Sequence, residues 1–292
     1  MLNKFLLVLS LMFSQASLAV LPSFDNFPKL PMIGDFDPSI LQKFYNQFTE
    51  QKPDFEREAR LVAPIEDSLM DGDVEYLPIS NDREALSIYM EPDTDKPKGG
   101  VILLHSRGFH ANWDTVVKPL RVGLSEKGWH TLSVQMPVLD KKAKYYDYVP
   151  IFPYAHERID AAISFYKKLG VDNIVLIGHG CGAHMSMSYI DKYGDEVFSA
   201  YVGVGMGATD YKQKIVKPFP LDKMLTPVLD VFGENDFPGV IRSSKLRQDQ
   251  MDVLANNKSA QMIIESADHY YTEDGNNESL TEAIDTWLNS LM

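Results

Sequence analysis

The residue pattern best suited to chemistry is a turn with three glycines in five positions. Gly178-His179-Gly180-Cys181-Gly182 follows the apolar run Ile174–Ile177 and precedes a helix-like segment. In a G-x-Ser-x-G nucleophile elbow, the strand delivers its serine onto a strained turn, and small flanking residues let helix and strand pack closely. Gly180 takes the serine position here, so the sequence predicts the elbow without its reactive oxygen.

The segments that would position this turn alternate between strand-like and helix-like patterns. Apolar runs that predict buried strands lie at residues 99–104, 129–136, 174–177, 198–204, 227–232 and 260–264. Because helical patterns separate these runs, we expect an α/β fold with a mostly parallel central sheet and helices on both faces. Two earlier segments, Val74–Ile79 and Ala85–Met90, predict an antiparallel N-terminal edge. We expect this domain over residues 71–292, after an irregular and helical N-terminal arm at 20–70.

With these elements, residues 70–292 resemble the α/β-hydrolase superfamily. In that superfamily the nucleophile, an acid and a histidine follow different strands in this order along the chain. Asp236 matches the acid position and His269 matches the base position. The loop that begins at His105 and includes Gly108 matches the oxyanion loop. The resemblance therefore implies an acid–base pair and part of an oxyanion hole around a turn that lacks the nucleophile.

Two residues could replace the missing serine. Ser106 lies at the mouth of the expected site and could approach His269 across the cleft. Cys181 carries the only thiol, and a position at a helix N-terminus would lower its pKa. However, the residue after the nucleophile normally gives its backbone N–H to the oxyanion hole, and its side chain does not sit at the tip of the elbow. The structural alternatives are a hydroxyl that caps its own loop and a small buried thiol.

Asp236 and His269 also allow two interpretations. A histidine oriented by a carboxylate is a competent general base, and it can activate water without a covalent step. The same pair could be a relic that only ties two loops together. In either case we expect both side chains at the C-terminal edge of the sheet, where the ligand sites of open α/β sheets lie. Five of the seven histidines fall near predicted strand ends without recognisable metal-ligand spacing, so we expect no metal and no cofactor.

The chain further resembles a narrower group of exported proteobacterial proteins of unknown function with this fold. The resemblance rests on Arg57-Glu58-Ala59-Arg60 through Asp71-Gly72, on Gly128 through Pro137, and on Gly178-His179-Gly180. Glycine at the elbow is usual in that group. The resemblance therefore implies the fold and export, but no reaction.

The N-terminus has the pattern of a secretory signal peptide. Lys4 supplies the positive region, Phe5–Phe13 the apolar core and Ser17-Leu18-Ala19 a small-x-small cleavage site. We expect residues 1–19 to be removed by cleavage near Ala19, and the mature protein to be periplasmic or secreted. No later segment has an apolar run long enough to span a membrane. The net charge of −13 argues against nucleic acid or an anionic membrane as a partner.

Two functions from different classes follow. The leading prediction is an exported protein of this fold that lacks the usual serine and binds a small molecule or an envelope protein without catalysing a reaction. The alternative is an active ester or acyl hydrolase that combines Asp236 and His269 with a displaced nucleophile, Ser106 or Cys181, or with activated water. If the rest of the site is intact, Gly180→Ser alone is expected to restore some esterase activity.

Overall fold

The computed structural model describes residues 51–209, 219–253 and 258–292. The predicted signal peptide and residues 20–50 of the predicted arm lie outside these ranges. No helix within them is both long enough and apolar enough to cross a membrane.

Eight strands of the described chain form one sheet. They are β1 (Asp73–Ile79), β2 (Arg83–Met90), β3 (Gly99–Leu104), β4 (Trp129–Val134), β5 (Ile174–His179), β6 (Ala200–Val204), β7 (Val228–Asn235) and β8 (Ala260–Asp268). Their order across the sheet is β1-β2-β4-β3-β5-β6-β7-β8. The pairs β1–β2 and β2–β4 are antiparallel, and every pair from β4 to β8 is parallel. The predicted mostly parallel sheet with an antiparallel N-terminal edge is confirmed.

Helices cover both faces of this sheet. They are α1 (Phe55–Ser68), α2 (Val117–Glu126), α3 (Tyr145–Tyr148), α4 (Phe152–Leu169), α5 (Cys181–Tyr193), α6 (Pro238–Asp252) and α7 (Asn276–Leu291). Successive side chains of a strand point to opposite faces. In β3, Ile102 and Leu104 therefore pack in an apolar cluster with α4 and α5, whereas Val101 and Leu103 pack in a second cluster with α2 and α7.

The parallel arrangement gathers five residues at one edge of the sheet. Ser106 lies just beyond the end of β3, and Gly180 directly follows β5. Gly205, Asp236 and His269 directly follow β6, β7 and β8. Because the carboxyl ends of parallel strands meet at the same edge, residues far apart in sequence are brought together there.

Candidate active site

The turn at Gly180 has the positive-φ backbone of an elbow. Strand β5 ends at His179, helix α5 begins at Cys181, and Gly180 between them has φ +52° and ψ −110°. A side chain is disfavoured in this region, whereas glycine adopts it readily. The expected strand–turn–helix elbow is therefore present, with glycine at its tip.

The acid and the base form a buried pair. His269 Nδ1 lies 2.7 Å from Asp236 Oδ1, and their side chains are 3% and 0% exposed. The same oxygen also accepts the backbone N–H of Phe237 at 2.7 Å. An ionised carboxylate only accepts hydrogen bonds, so the proton of the neutral imidazole lies on Nδ1 and Nε2 presents its lone pair. The two side chains lie side by side as expected, in the orientation that a general base requires.

Gly205 makes room for this pair, a role that the sequence analysis missed. A Cβ atom on Gly205 would lie 2.7 Å from Cε1 and 2.8 Å from Nδ1 of His269, and 3.2 Å from Asp236 Oδ2. Its φ of +62° also disfavours a side chain. A glycine directly after a buried strand is the only sequence signal for this contact, and it does not say which side chain needs the space.

Ser106 occupies the space that the elbow side chain would fill. A Cβ atom on Gly180 would lie 2.6 Å from Ser106 Oγ and 3.0 Å from His269 Nε2. The backbone N–H of Cys181 donates to Ser106 Oγ at 3.3 Å. Within the described residues no hydrogen bond joins Ser106 Oγ to His269 Nε2, although both atoms lie within 3.0 Å of the same point. The structure thus brings a hydroxyl from the β3 loop to the missing nucleophile's position.

His105 holds the Ser106 loop in place. Its Nδ1 donates to the carbonyl of Ser106 at 2.7 Å, and its Nε2 accepts the backbone N–H of Met136 at 2.8 Å. Burial lowers the pKa of His105 to about 3, so the ring stays neutral at ordinary pH. Because the backbone engages both ring nitrogens, the imidazole can position Ser106 but has no N–H left for a substrate oxygen.

His179 holds the backbone of the base. Its Nε2 donates to the carbonyl of His269 at 3.0 Å, and burial lowers its pKa to about 3. The two rings lie 4.9 Å apart between centroids. This neutral histidine therefore contributes to the orientation of the His269 ring.

Cys181 contributes its backbone rather than its side chain. The side chain is 3% exposed and belongs to the apolar cluster that also contains Tyr145 and Tyr148. Its N–H, in contrast, points to Ser106 Oγ. The thiol therefore lies on the core side of the elbow, whereas the N–H lies on the side of the Ser106 loop.

Helix α1 reaches the same loops through two charged residues that the sequence analysis did not assign to the site. Arg57 donates to the carbonyls of Leu139 at 2.5 Å and Gly108 at 3.5 Å. Glu58 accepts from the buried Arg158 at 3.0 Å, and Arg158 also donates to the carbonyl of Gln135 at 2.7 Å. Arg57 therefore ties the β3 loop to the β4 loop, and the Glu58–Arg158 pair links α1 to the β4 loop. The expected oxyanion-loop glycine, Gly108, is thus held by its carbonyl.

The described residues contain no group of three or more His, Cys, Asp and Glu side chains that could hold a metal ion.

Comparison with known proteins places the chain in a protein family whose activity is unknown. A family model described as "Protein of unknown function (DUF3530)" matches residues 5–148 and 154–290. No functionally curated protein matches the chain.

Several solved structures share the fold. Est1E from Butyrivibrio proteoclasticus is similar at 16% identity, with a TM-score of 0.58 over 76% of this chain and 99% of that chain. An α/β serine hydrolase homologue from Coxiella burnetii has 18% identity and a TM-score of 0.57, over 77% and 99% of the two chains. A lidless α/β serine hydrolase from Xanthomonas campestris has 13% identity and a TM-score of 0.54, over 76% and 96%. At these identities the likeness establishes the α/β-hydrolase fold, and function rests on the site.

Proposed function

Because the chain belongs to the DUF3530 family, whose function is unknown, we propose its activity from the site itself. The proposal is an ester or acyl hydrolase in which Ser106, and not the elbow residue, supplies the nucleophilic hydroxyl. The observation that carries it is the position of Ser106 Oγ and His269 Nε2, both within 3.0 Å of the point where the elbow side chain would begin. The signal-peptide pattern of residues 1–19 supports an exported location for this activity.

The reaction divides into acylation and deacylation. His269 Nε2 takes the proton of Ser106 Oγ as this oxygen bonds to the acyl carbon, and Asp236 stabilises the imidazolium. The bond to the leaving alkoxide then breaks, and the alcohol departs with the proton from Nε2. Water attacks the acyl-serine, His269 takes one of its protons, and Oγ regains a proton as the acid leaves.

Ser106 has a hydroxyl proton available for this sequence. Its Oγ already accepts from the Cys181 N–H, and its own proton has no acceptor among the described residues. Catalytic hydrogen bonds of this kind often form or tighten only when substrate binds, so the proposal requires Ser106 Oγ to reach His269 Nε2 in the substrate complex. The Cys181 N–H holds Ser106 Oγ beside the elbow and would have to release this oxygen before it could donate to a substrate carbonyl oxygen.

A second candidate is ligand binding without catalysis, the leading prediction from the sequence. One observation favours it: no hydrogen bond joins Ser106 and His269 in the described part of the chain. In that case the Asp236–His269 pair would stabilise the loops, and Ser106 would only satisfy the Cys181 N–H.

The test is turnover of p-nitrophenyl acetate by the purified mature protein, together with mass-spectrometric mapping of a fluorophosphonate label. We expect the label on Ser106, and losses of turnover on the order of 10³-fold or more in Ser106→Ala and in His269→Ala. The control is Ser290→Ala, an exposed serine on α7, which should turn over ester like the wild type.

Three results would contradict the proposal. Loss of activity in Cys181→Ala but not in Ser106→Ala would identify the thiol as the nucleophile. An active Ser106→Ala that loses turnover only when His269 is also replaced would indicate water activated directly by the base. If the folded wild type shows neither turnover nor labelling, ligand binding remains as the function.

A further inference from the structure

A continuous aromatic surface adjoins the His269 imidazole. Phe237 stacks on His269 with ring centroids 4.4 Å apart and an interplanar angle of 24°. Tyr270 meets Phe237 edge-on at 5.7 Å, and Phe109 lies 5.7 Å from Tyr270. Phe109 in turn stacks on Trp113 at 3.9 Å. These four aromatic side chains, here called the aromatic surface, therefore extend from the base to the far side of the β3 loop.

The aromatic surface is not part of the core. Phe237 is 38% exposed, and Phe109, Trp113 and Tyr270 are half-buried, whereas core rings such as Tyr166 are fully buried. All four lie on loops at the carboxyl edge of the sheet, close in sequence to Ser106, Asp236 or His269. Partly exposed aromatic rings that form one surface beside polar groups are typical of a ligand site.

The polar ends of two of these rings support the same interpretation. The core tryptophans are satisfied, since Trp129 Nε1 donates to Asp285 at 3.1 Å and Trp287 Nε1 to the carbonyl of Lys258 at 3.0 Å. In the described ranges, neither Trp113 Nε1 nor the Tyr270 hydroxyl has a hydrogen-bond partner. Buried Tyr and Trp polar groups are usually paired, so these two groups face solvent or a ligand.

Building on the proposed hydrolase, we propose that the aromatic surface binds a flat aromatic group on the acyl or alcohol side of the ester. Phe237, which is 38% exposed, offers a ring for offset stacking next to the base, and the half-buried Tyr270 offers a second ring for a T-shaped contact. A quaternary ammonium ion needs ring faces arranged around it, but Trp113 covers one face of Phe109. A sugar would need several paired donors and acceptors, whereas this surface offers only two polar groups.

The test measures binding apart from turnover. In Ser106→Ala, which cannot form an acyl-enzyme, the Kd of N-phenylacetamide is compared with that of N-cyclohexylacetamide by calorimetry or ligand-observed NMR. The two probes have similar size, but only the first is flat and aromatic. An aromatic pair is stabilising beyond its buried area, by an amount equivalent to about 2- to 12-fold in Kd. We expect the phenyl probe to bind tighter by such a factor.

Leucine substitutions test which aromatic rings cause the preference for the phenyl probe. Phe237→Leu keeps apolar volume and removes the ring, so the phenyl preference should fall to near unity, and Tyr270→Leu should reduce it independently. Phe55→Leu is the matched control, because Phe55 on α1 is 36% exposed but lies outside the aromatic surface; its preference should equal that of Ser106→Ala. Circular dichroism establishes that each variant is folded.

The outcomes separate this inference from the hydrolase proposal. A phenyl preference in Ser106→Ala that Phe237→Leu abolishes supports the aromatic surface even if the wild type hydrolyses no ester. Equal binding of the two probes, or a preference unchanged in folded Phe237→Leu and Tyr270→Leu, overturns the inference even if the wild type is an active hydrolase. Preferential binding of a trimethylammonium probe over the phenyl probe would also overturn it.

Discussion

Replacing Gly180 with alanine tests whether Ser106 occupies the space of the elbow side chain. Alanine adds only a Cβ atom, which would lie 2.6 Å from Ser106 Oγ and 3.0 Å from His269 Nε2. It also places a side chain at φ +52°. The substitution therefore has one backbone cost and one packing cost, and only the packing cost depends on Ser106.

The two costs are similar in size. Backbone strain at a positive φ costs about 1–3 kcal/mol. Forcing a methyl group into a filled space costs typically about 1–3 kcal/mol more. In a Ser106→Gly background the closest contact disappears, so Gly180→Ala should destabilise that background less, by an amount of about 1–3 kcal/mol. This difference is the coupling energy of a double-mutant cycle.

The assay is equilibrium unfolding in urea of the wild type, both single variants and the double variant. The backbone cost is common to both backgrounds and cancels in the cycle. Additive free energies, within about 0.5 kcal/mol, would refute the conclusion that the two residues compete for one space.

The same contact changes the expectation for Gly180→Ser. The sequence predicted that this substitution alone restores some esterase activity, but its side chain would collide with the Ser106 hydroxyl. The variant expected to carry a conventional elbow nucleophile is therefore Gly180→Ser combined with Ser106→Gly.

Two further predictions concern buried ionisable residues. Glu58→Ala leaves Arg158 buried without its carboxylate partner and should lower the free energy of unfolding by about 3–5 kcal/mol, measured in urea. The control Glu56→Ala, at the exposed start of α1, should change this free energy by less than about 0.5 kcal/mol. Equal effects of the two substitutions would contradict this role for the ion pair. His179, with a folded pKa lowered to about 3, stays neutral while the unfolded chain takes up a proton below pH 6.5, so stability is lost as pH falls. Between pH 7 and 5 this histidine should account for about 2 kcal/mol of the lost free energy of unfolding. The His179→Gln variant should therefore lose about that much less stability over the same pH range. An identical pH dependence in the variant and the wild type would contradict the lowered pKa of His179.

The elements of the fold were predictable because their signals are local. Continuous apolar runs such as Ile174–Ile177 indicate buried parallel strands, and the glycines from Gly178 to Gly182 indicate a tight turn into a helix. Once the order of strands and helices is known, parallel pairing places every strand's carboxyl end at one edge. This is why the sequence alone predicts that Asp236 and His269 lie side by side.

The contacts between loops were not predictable. Glu58 and Arg158 lie 100 residues apart in sequence, and no pattern around either residue specifies the other. Gly205 is one of 18 glycines, and only the position of the His269 ring distinguishes it from a turn glycine. Such contacts depend on how far each strand extends and on how the sheet twists. A short stretch of sequence specifies neither of these properties.

The sequence by itself determined that the elbow carries no nucleophile, because residue identity is sufficient to exclude an oxygen or sulfur at Gly180. Only the tertiary structure decided what fills that position. Ser106 and the elbow are separated by about 75 residues and meet because β3 and β5 are neighbours in the sheet. Whether two side chains share one space is a matter of ångströms, and that precision arises from the packing of the whole sheet edge.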